Sequence, residues 1–326
     1  MRALWVATAS LIWCVLTAFS RVLHRLGIRR SVRLPVRVIA VGNFEVGGTG
    51  KTPVAAQLAR EALARGHAPL ILTRGYGGRW EKTGGLIEPR KAPEALLTDP
   101  LDCGDEPALL AELVPSAWIG VGADRFRSFE RVEARARELG IATPDLVILE
   151  DGLQHLSIAH DVEVVLLTSA RPWQKVFREW PTKRAVRAVY AWTKGGIPPF
   201  RATALQPFIR IKWKTEIRGG VSAEKRPLWL VTGVAESGQV RASLEAAGWQ
   251  VVAHSACRDH ARYSREWLEG LSRRASSGGL MLATTGKDWV KWRSLGLDEV
   301  DVAVFEPEIV WDAEGRRQWL RMLWGE

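Results

Sequence analysis

Residues 41–53 read VGNFEVGGTGKTP. They join a β-branched run, Val36 to Val41 (VRVIAV), to a helical stretch, Pro53 to Arg65, with Leu58, Ala62 and Leu63 among its apolar positions. A glycine-rich turn between a strand and a helix is the context of a phosphate-binding loop. Glycine lets the backbone turn its N–H groups inward around phosphate oxygens, and the helix N-terminus adds partial positive charge. The segment Glu45, Val46, Gly47, Gly48, Thr49, Gly50, Lys51 and Thr52 is therefore expected to hold a nucleotide. In such a loop Lys51 serves the β- and γ-phosphates and Thr52 serves Mg²⁺. Pro53 suits the first turn of the helix. The strict pattern G-x-x-x-x-G-K-[ST] asks for glycine where Glu45 stands, a departure partly offset by Gly47 and Gly48.

A phosphate loop also needs a carboxylate on its metal side, at the end of a neighbouring strand. Leu146 to Asp151 (LVILED) offers Glu150 and Asp151 after four apolar residues. The guanine-selecting Asn-Lys-x-Asp sequence is absent, since Thr285-Gly286-Lys287-Asp288 lacks both the Asn and the spacing. ATP is the expected nucleotide.

The remaining pattern alternates strands and helices. Leu70 to Thr73, Trp118 to Val121, Leu146 to Leu149 and Val162 to Leu167 read as strands. Glu106 to Leu113 and Phe126 to Leu139 read as helices, and residues 79–103 as a polar loop. This alternation predicts an α/β fold: a phosphate-loop NTPase-type parallel sheet with helices on both faces. Residues 170–224 are rich in Trp, Arg and Lys, broken at Pro198-Pro199, and give no clear pattern. A fresh strand–helix alternation starts at Pro227 and predicts a second, smaller α/β lobe, with the last helix (Asp312 to Trp324) free to pack back on the first. The expected organisation is an N-terminal helix and basic flank over 1–35, a kinase-type core over 36–224 and the smaller lobe over 225–326.

Ala3 to Ser20 contains no charged residue. As a helix these residues would extend about 27 Å, just short of a hydrocarbon core of about 30 Å. Arg21, Arg25, Arg29, Arg30, Arg33 and Arg37 follow, and only Arg2 precedes. A membrane anchor with the bulk of the chain in the cytoplasm is the favoured reading. A buried helix and a cleaved signal peptide ending near Ser20 are the alternatives; export away from ATP argues against the second. The basic flank is suited to anionic headgroups. Trp5 and Trp13 fit an interface; Trp173, Trp180 and Trp192, among basic residues, fit either headgroups or ordinary packing, which is favoured.

Lys plus Arg number 46 against 36 for Asp plus Glu, a net charge of +10. Such a surplus suits an anionic partner: nucleic acid, an acidic membrane face or a phosphorylated substrate. No nucleic-acid motif interleaves aromatics with the basic runs, so nucleic acid is not expected. Cys14, Cys103 and Cys257, odd in number and widely spaced, cannot make a disulfide framework.

Beyond the loop, four further blocks occur in order: Thr73-Arg74-Gly75-Tyr76-Gly77-Gly78, Gly104-Asp105-Glu106-Pro107, Glu150-Asp151-Gly152-Leu153-Gln154-His155 and Asp259-His260; Arg178-Glu179, in FREWP, is a looser match. Together with the apolar N-terminus, this set resembles the tetraacyldisaccharide 4′-kinases. The resemblance implies phosphorylation by ATP and Mg²⁺ of the 4′-hydroxyl of an acylated glucosamine disaccharide 1-phosphate, giving lipid IVA at the cytoplasmic face of the inner membrane. It implies catalytic roles for Asp105 as base and His260 as its partner. It also implies metal-side roles for Glu106, Asp151 and Thr52, and phosphate-side roles for Arg74, Arg125 and Arg178. The chain departs from the family at Glu150, where an aspartate is usual, over Ser169 to Trp192, and at Gly286, where an acid is usual. A membrane-tethered ATPase switch, which would need the loop but not Asp105 and His260, is the alternative function. Oligomeric state is not readable from the sequence.

Overall fold

Apolar runs such as VIAV, LVIL and VEVVLL have no polar alternation, so strands made from them need cover on both faces. The computed structural model describes residues 2–90, 98–170, 174–180, 186–194, 208–218, 226–297 and 302–326, and gives them that cover. Helix α1 (Arg2–Arg25) precedes β1 (Arg37–Asn43), α2 (Lys51–Ala64), β2 (Pro69–Thr73), α3 (Trp80–Thr83), β3 (Gly85–Ile87), α4 (Pro100–Cys103) and α5 (Asp105–Leu113). Then come β4 (Trp118–Val121), α6 (Arg125–Leu139), β5 (Leu146–Glu150), β6 (Val162–Thr168), β7 (Arg187–Lys194) and β8 (Phe208–Arg210). These eight strands form one sheet in the order β3-β4-β2-β5-β1-β6-β7-β8, parallel except for the β3–β4 pair. Strand β1 lies at the centre, so the loop that follows it opens at the carboxyl edge, where open α/β sheets bind ligands.

The second sheet runs β11-β10-β12-β13-β9. It takes β9 (Lys212–Arg218), β10 (Leu228–Thr232), β11 (Val251–Ala256), β12 (Met281–Thr285) and β13 (Val302–Val310), with α7 (Ser237–Ala246), α8 (Arg265–Ser277) and α9 (Gly286–Ser294) between them. Only β9 is antiparallel, pairing with β13. The structure differs here from the sequence expectation. Strand β9 lies before residue 224, on the core side of the expected boundary, yet its hydrogen bonds belong to the second sheet. The boundary itself falls outside the described residues, as do Trp173 and Pro198-Pro199. The polar stretch 79–103, expected to be loop throughout, contains α3, β3 and α4.

Helix α10 (Ala313–Leu323) returns to the first sheet's core through Trp319 and Leu323, both buried. The buried Glu61 of α2 fastens it, accepting hydrogen bonds from the indole N–H groups of Trp319 (2.9 Å) and Trp324 (2.8 Å) and pairing with Arg316.

Helix α1 continues past Ser20 through the first arginines, which makes it longer than the uncharged stretch alone suggests. Leu4, Trp5, Leu11, Ile12, Leu16 and Phe19 are all more than half exposed. Val6, Ser10, Cys14 and Thr17 are buried against the rest of the chain. The helix is thus long and apolar enough to cross a membrane, but one stripe of it is docked on the protein.

Candidate active site

The phosphate loop is shaped by its glycines. Gly47 (φ 127°) and Gly50 (φ 88°) have positive φ, which a side chain would strain, and Gly50 stands at the N-terminus of α2. Glu45, where the loop pattern wants glycine, is buried and turned away: its carboxylate accepts a 2.6 Å hydrogen bond from Thr168 at the end of β6. The departure from the pattern therefore leaves the loop interior free. Thr49 Oγ1 is buried with no hydrogen-bond partner among the described residues.

Lys51, largely buried, approaches Asn43 Oδ1 (3.4 Å), the Gly47 carbonyl (3.5 Å) and Asp151 Oδ1 (3.8 Å). Arg178 grips Asp151 with two bonds of 2.9 and 2.7 Å and also donates to Asn43 Oδ1 at 2.9 Å. Burial by itself would raise the Asp151 carboxyl; Lys51 and Arg178 outweigh it and bring it down to about 2. Residues 176–179 lie beside the loop: Val46 N–H donates to Val176 O and Arg178 N–H to Phe44 O, each at 2.7 Å. Lys175 and Glu236 pair above Gly47, tying the second sheet's unit to the loop.

Glu150 sits at the buried end of β5. Its two oxygens accept from Thr52 (3.2 Å) and Thr73 (3.0 Å). Burial, then the neighbouring Glu106 and Asp151, push its carboxyl up to about 7.

Asp105 and Glu106 open α5, just after Gly104 (φ 93°). That turn needs close backbone contact: a Cβ on Gly78 would lie 2.5 Å from Gly104 N and 2.6 Å from Asp102 O. The glycines of RGYGG thus let the β2 loop support the start of α5. Asp105 Oδ2 receives both His260 Nδ1 (3.1 Å) and Lys291 Nζ (3.2 Å). Burial would raise Asp105, but His260 and Lys291 hold it below the usual carboxylate range. The bond to Asp105 raises His260 above its ordinary value. The Tyr76 ring is tilted against that imidazole, with centroids 5.3 Å apart. Glu106 pairs with Lys287 at 2.6 Å. Burial would raise Glu106; the charges of Lys287 and Lys51 lower it. Among the described residues, the non-glycine positions with positive φ are Asp151 (52°) and His260 (56°), and strain of this kind gathers at functional sites.

The family model described as tetraacyldisaccharide-1-P 4′-kinase, LpxK, matches residues 2–324. The chain belongs to that family. A tetraacyldisaccharide 4′-kinase from Syntrophus aciditrophicus is 34% identical, with 80% of this chain and 77% of the relative covered. One from Shewanella pealeana is 30% identical, with 91% and 86% covered. A solved structure described as an "apo" form of LpxK from Aquifex aeolicus in complex with ATP superposes with a TM-score of 0.73 at 24% identity, covering 99% of this chain and all of that one. The shared fold has the α/β architecture expected from the sequence, and membership favours the phosphotransferase over the switch.

Within this kinase family member, the expected residues fall into linked groups. Lys51, Asp151 and Arg178 are brought together, as are Thr52 with Glu150 and Asp105 with His260. Two of the expected arginines, Arg74 and Arg125, have hydrogen-bond partners outside those groups, although Arg125 lies close enough to Asp151 to lower its carboxyl. Arg74 is 61% exposed and paired with Glu81 at 2.7 Å. Arg125 is buried and donates to the Gly122 and Ala123 carbonyls, and burial pushes it down to about 10. Asn43, Lys287 and Lys291 were not singled out from the sequence. The spacing of Lys287 and Lys291, four apart on α9 beside the buried Asp288, is the signal that could have found the two lysines.

Among the described residues no three His, Cys, Asp or Glu side chains form a metal cage. Mg²⁺ does not require one, because it keeps waters and phosphate oxygens and takes one or two protein oxygens. The adjoining Thr52 hydroxyl and Glu150 carboxylate are hard oxygen donors of that kind. A cleft of about 400 Å³ lies apart from the loop, between the end of α1 and residues 154–157, lined by Ser20, His24, Arg29, Arg30, His155 and Ser157. Burial and the Arg125 charge lower His155 to about 4, so its ring is neutral there at pH 7.

Proposed function

We propose that this family member transfers the γ-phosphoryl group of ATP to the 4′-hydroxyl of an acylated glucosamine disaccharide 1-phosphate. The product is lipid IVA, and the site works at the cytoplasmic face of the inner membrane. The observation that carries the reading is Asp105: a carboxylate at the start of α5, held on one oxygen by His260 and Lys291 from the other sheet's unit. Its neighbour Glu106 is close enough to Lys51 and Asp151 to feel their charges.

In the reaction the 4′-oxygen bonds to the γ-phosphorus and the bond from that phosphorus to the β,γ-bridging oxygen breaks, releasing ADP. Asp105 accepts the hydroxyl proton and passes it to solvent. His260 and Lys291 aim the carboxylate and keep it ionised, so it meets the alcohol as an acceptor. Lys51 and the loop N–H groups hold the phosphates, and Arg178, steadied by Asp151, offsets charge that develops on them. Mg²⁺, when bound through Thr52 and Glu150, supplies charge neutralisation at the β- and γ-phosphates.

The exposed apolar side of α1 and the arginines after it support a seat in the membrane interface. Because the opposite stripe is docked on the protein, the helix lies along the surface of the membrane rather than crossing it alone. The cleft lined by Arg29 and Arg30 opens at the basic end of that seat.

Purified protein with ATP, Mg²⁺ and the disaccharide 1-phosphate in detergent micelles should give the 4′-phosphorylated lipid. Asp105→Ala should lower kcat by about 10²–10⁴-fold while ATP still binds. Full activity in that variant, or no product from folded wild type, would refute the reading.

A further inference from the structure

A helix that serves only as an apolar anchor has no use for polar side chains. Yet Ser10, Cys14, Thr17 and Arg21 form one line along α1, at spacings of four, three and four, which places them on a single face. All four meet the segment 177–179. Phe177 N–H donates to Ser10 Oγ (3.0 Å), and Cys14 Sγ contacts the Phe177 carbonyl (3.6 Å). Thr17 Oγ1 donates to the Arg178 carbonyl (2.6 Å). Arg21 pairs with Glu179 (2.7 Å) and donates to the Leu153 carbonyl (3.0 Å).

The opposite edge of that segment holds the phosphate loop, through the bonds from Val46 N–H to Val176 O and from Arg178 N–H to Phe44 O. Arg178 uses its side chain on Asp151 and Asn43. The segment is therefore a short splint, with α1 on one side and the nucleotide loop on the other. Its carbonyls at 177 and 178 have α1 side chains as partners, and a buried carbonyl without one is costly.

We infer that the polar stripe of α1 positions Arg178 and the phosphate loop, so that seating the helix in lipid is coupled to assembly of the nucleotide site. Ser10 and Thr17 are positioning residues that act through Arg178. The inference rests on the kinase reading for its effect on turnover, but not for its effect on ATP binding.

The test pairs Ser10→Ala with Thr17→Val, which keeps the helix apolar and its partition into vesicles unchanged. In detergent micelles, where anchoring to a bilayer is irrelevant, the double variant should raise the Kd for ATP and lower kcat by about tenfold each, because a small displacement of a positioning group is costly. KM for the acceptor should not change. Thr17→Ser should keep wild-type values. Leu11→Ala, on the lipid-facing side, should weaken vesicle partition and leave ATP affinity alone. Should the double variant not fold, judged by its thermal melt, Thr17→Val alone carries the same comparison. Unchanged ATP affinity and kcat in the folded variant would overturn the coupling. If wild type makes no lipid product, the kinase reading fails, while the ATP-affinity comparison still decides this one.

Discussion

Asp105 carries two nitrogen partners, His260 and Lys291, on one oxygen, and this sets how its charge responds to pH. Its depressed carboxyl contributes stability above the ordinary value of 3.8 that is lost as pH falls through the folded value. The raised His260 contributes below 6.5 and loses that contribution as pH rises through its own folded value. Glu150 has the reverse sign for an acid. Between 4.5 and about 7 the folded chain keeps a proton there that the unfolded chain has released, so stability falls as pH rises across that window. Glu150→Gln should flatten that part of the stability–pH curve in urea unfolding of the metal-free protein. Binding of Mg²⁺ with ATP near pH 7 should release protons in wild type and fewer in the variant, read as buffer-dependent heat in calorimetry.

At the scale of elements, buried polar contacts decide which pieces hold together. Glu61 on α2 serves two indoles and Arg316 from the C-terminal end, so α10 is fastened by a charge inside an apolar core. Glu61→Ala leaves those donors without their acceptor. It should cost about 3 kcal/mol in chemical denaturation, as for a buried pair broken on one side. Amide exchange should quicken first in α10. Helix α9 shows a different substitution of parts. A Cβ on Gly286 would lie 2.2 Å from Glu306 Oε1, so the carboxylate of β13 fills the space beside the helix start. The space beside Gly286 is thus taken by an acid from a neighbouring strand.

For the whole molecule, the two sheets' units meet through charge. Lys287 with Glu106, Lys291 with Asp105, Arg293 with Glu112 and Lys175 with Glu236 all cross between them. The surplus of +10 also gives the chain a field suited to an acidic bilayer. Replacing Arg25, Arg29 and Arg30 with Gln should weaken binding to anionic vesicles by about 1 kcal/mol per residue at low salt. The loss should shrink as salt is raised, because screening removes the same attraction. Flotation of the full chain with vesicles checks it; equal binding by wild type and variant at low salt would contradict the electrostatic share.

The sequence alone carried the phosphate loop, the central strands and the apolar helix, because each is dictated by neighbours a few residues away. Glycines at a turn, continuous β-branched runs and an uncharged stretch exert their steric and solvation demands locally. The family resemblance also pointed to Asp105, His260, Asp151 and Arg178 as candidates. Tertiary structure alone brought Lys291 to Asp105 and Lys287 to Glu106, turned Arg74 toward Glu81, moved β9 into the second sheet and docked the polar stripe of α1 on residues 177–179. Those pairings join residues far apart in the chain, 181 positions for Lys287 and Glu106. Each is worth little until the sheets have closed the chain around it, so no local pattern marks it.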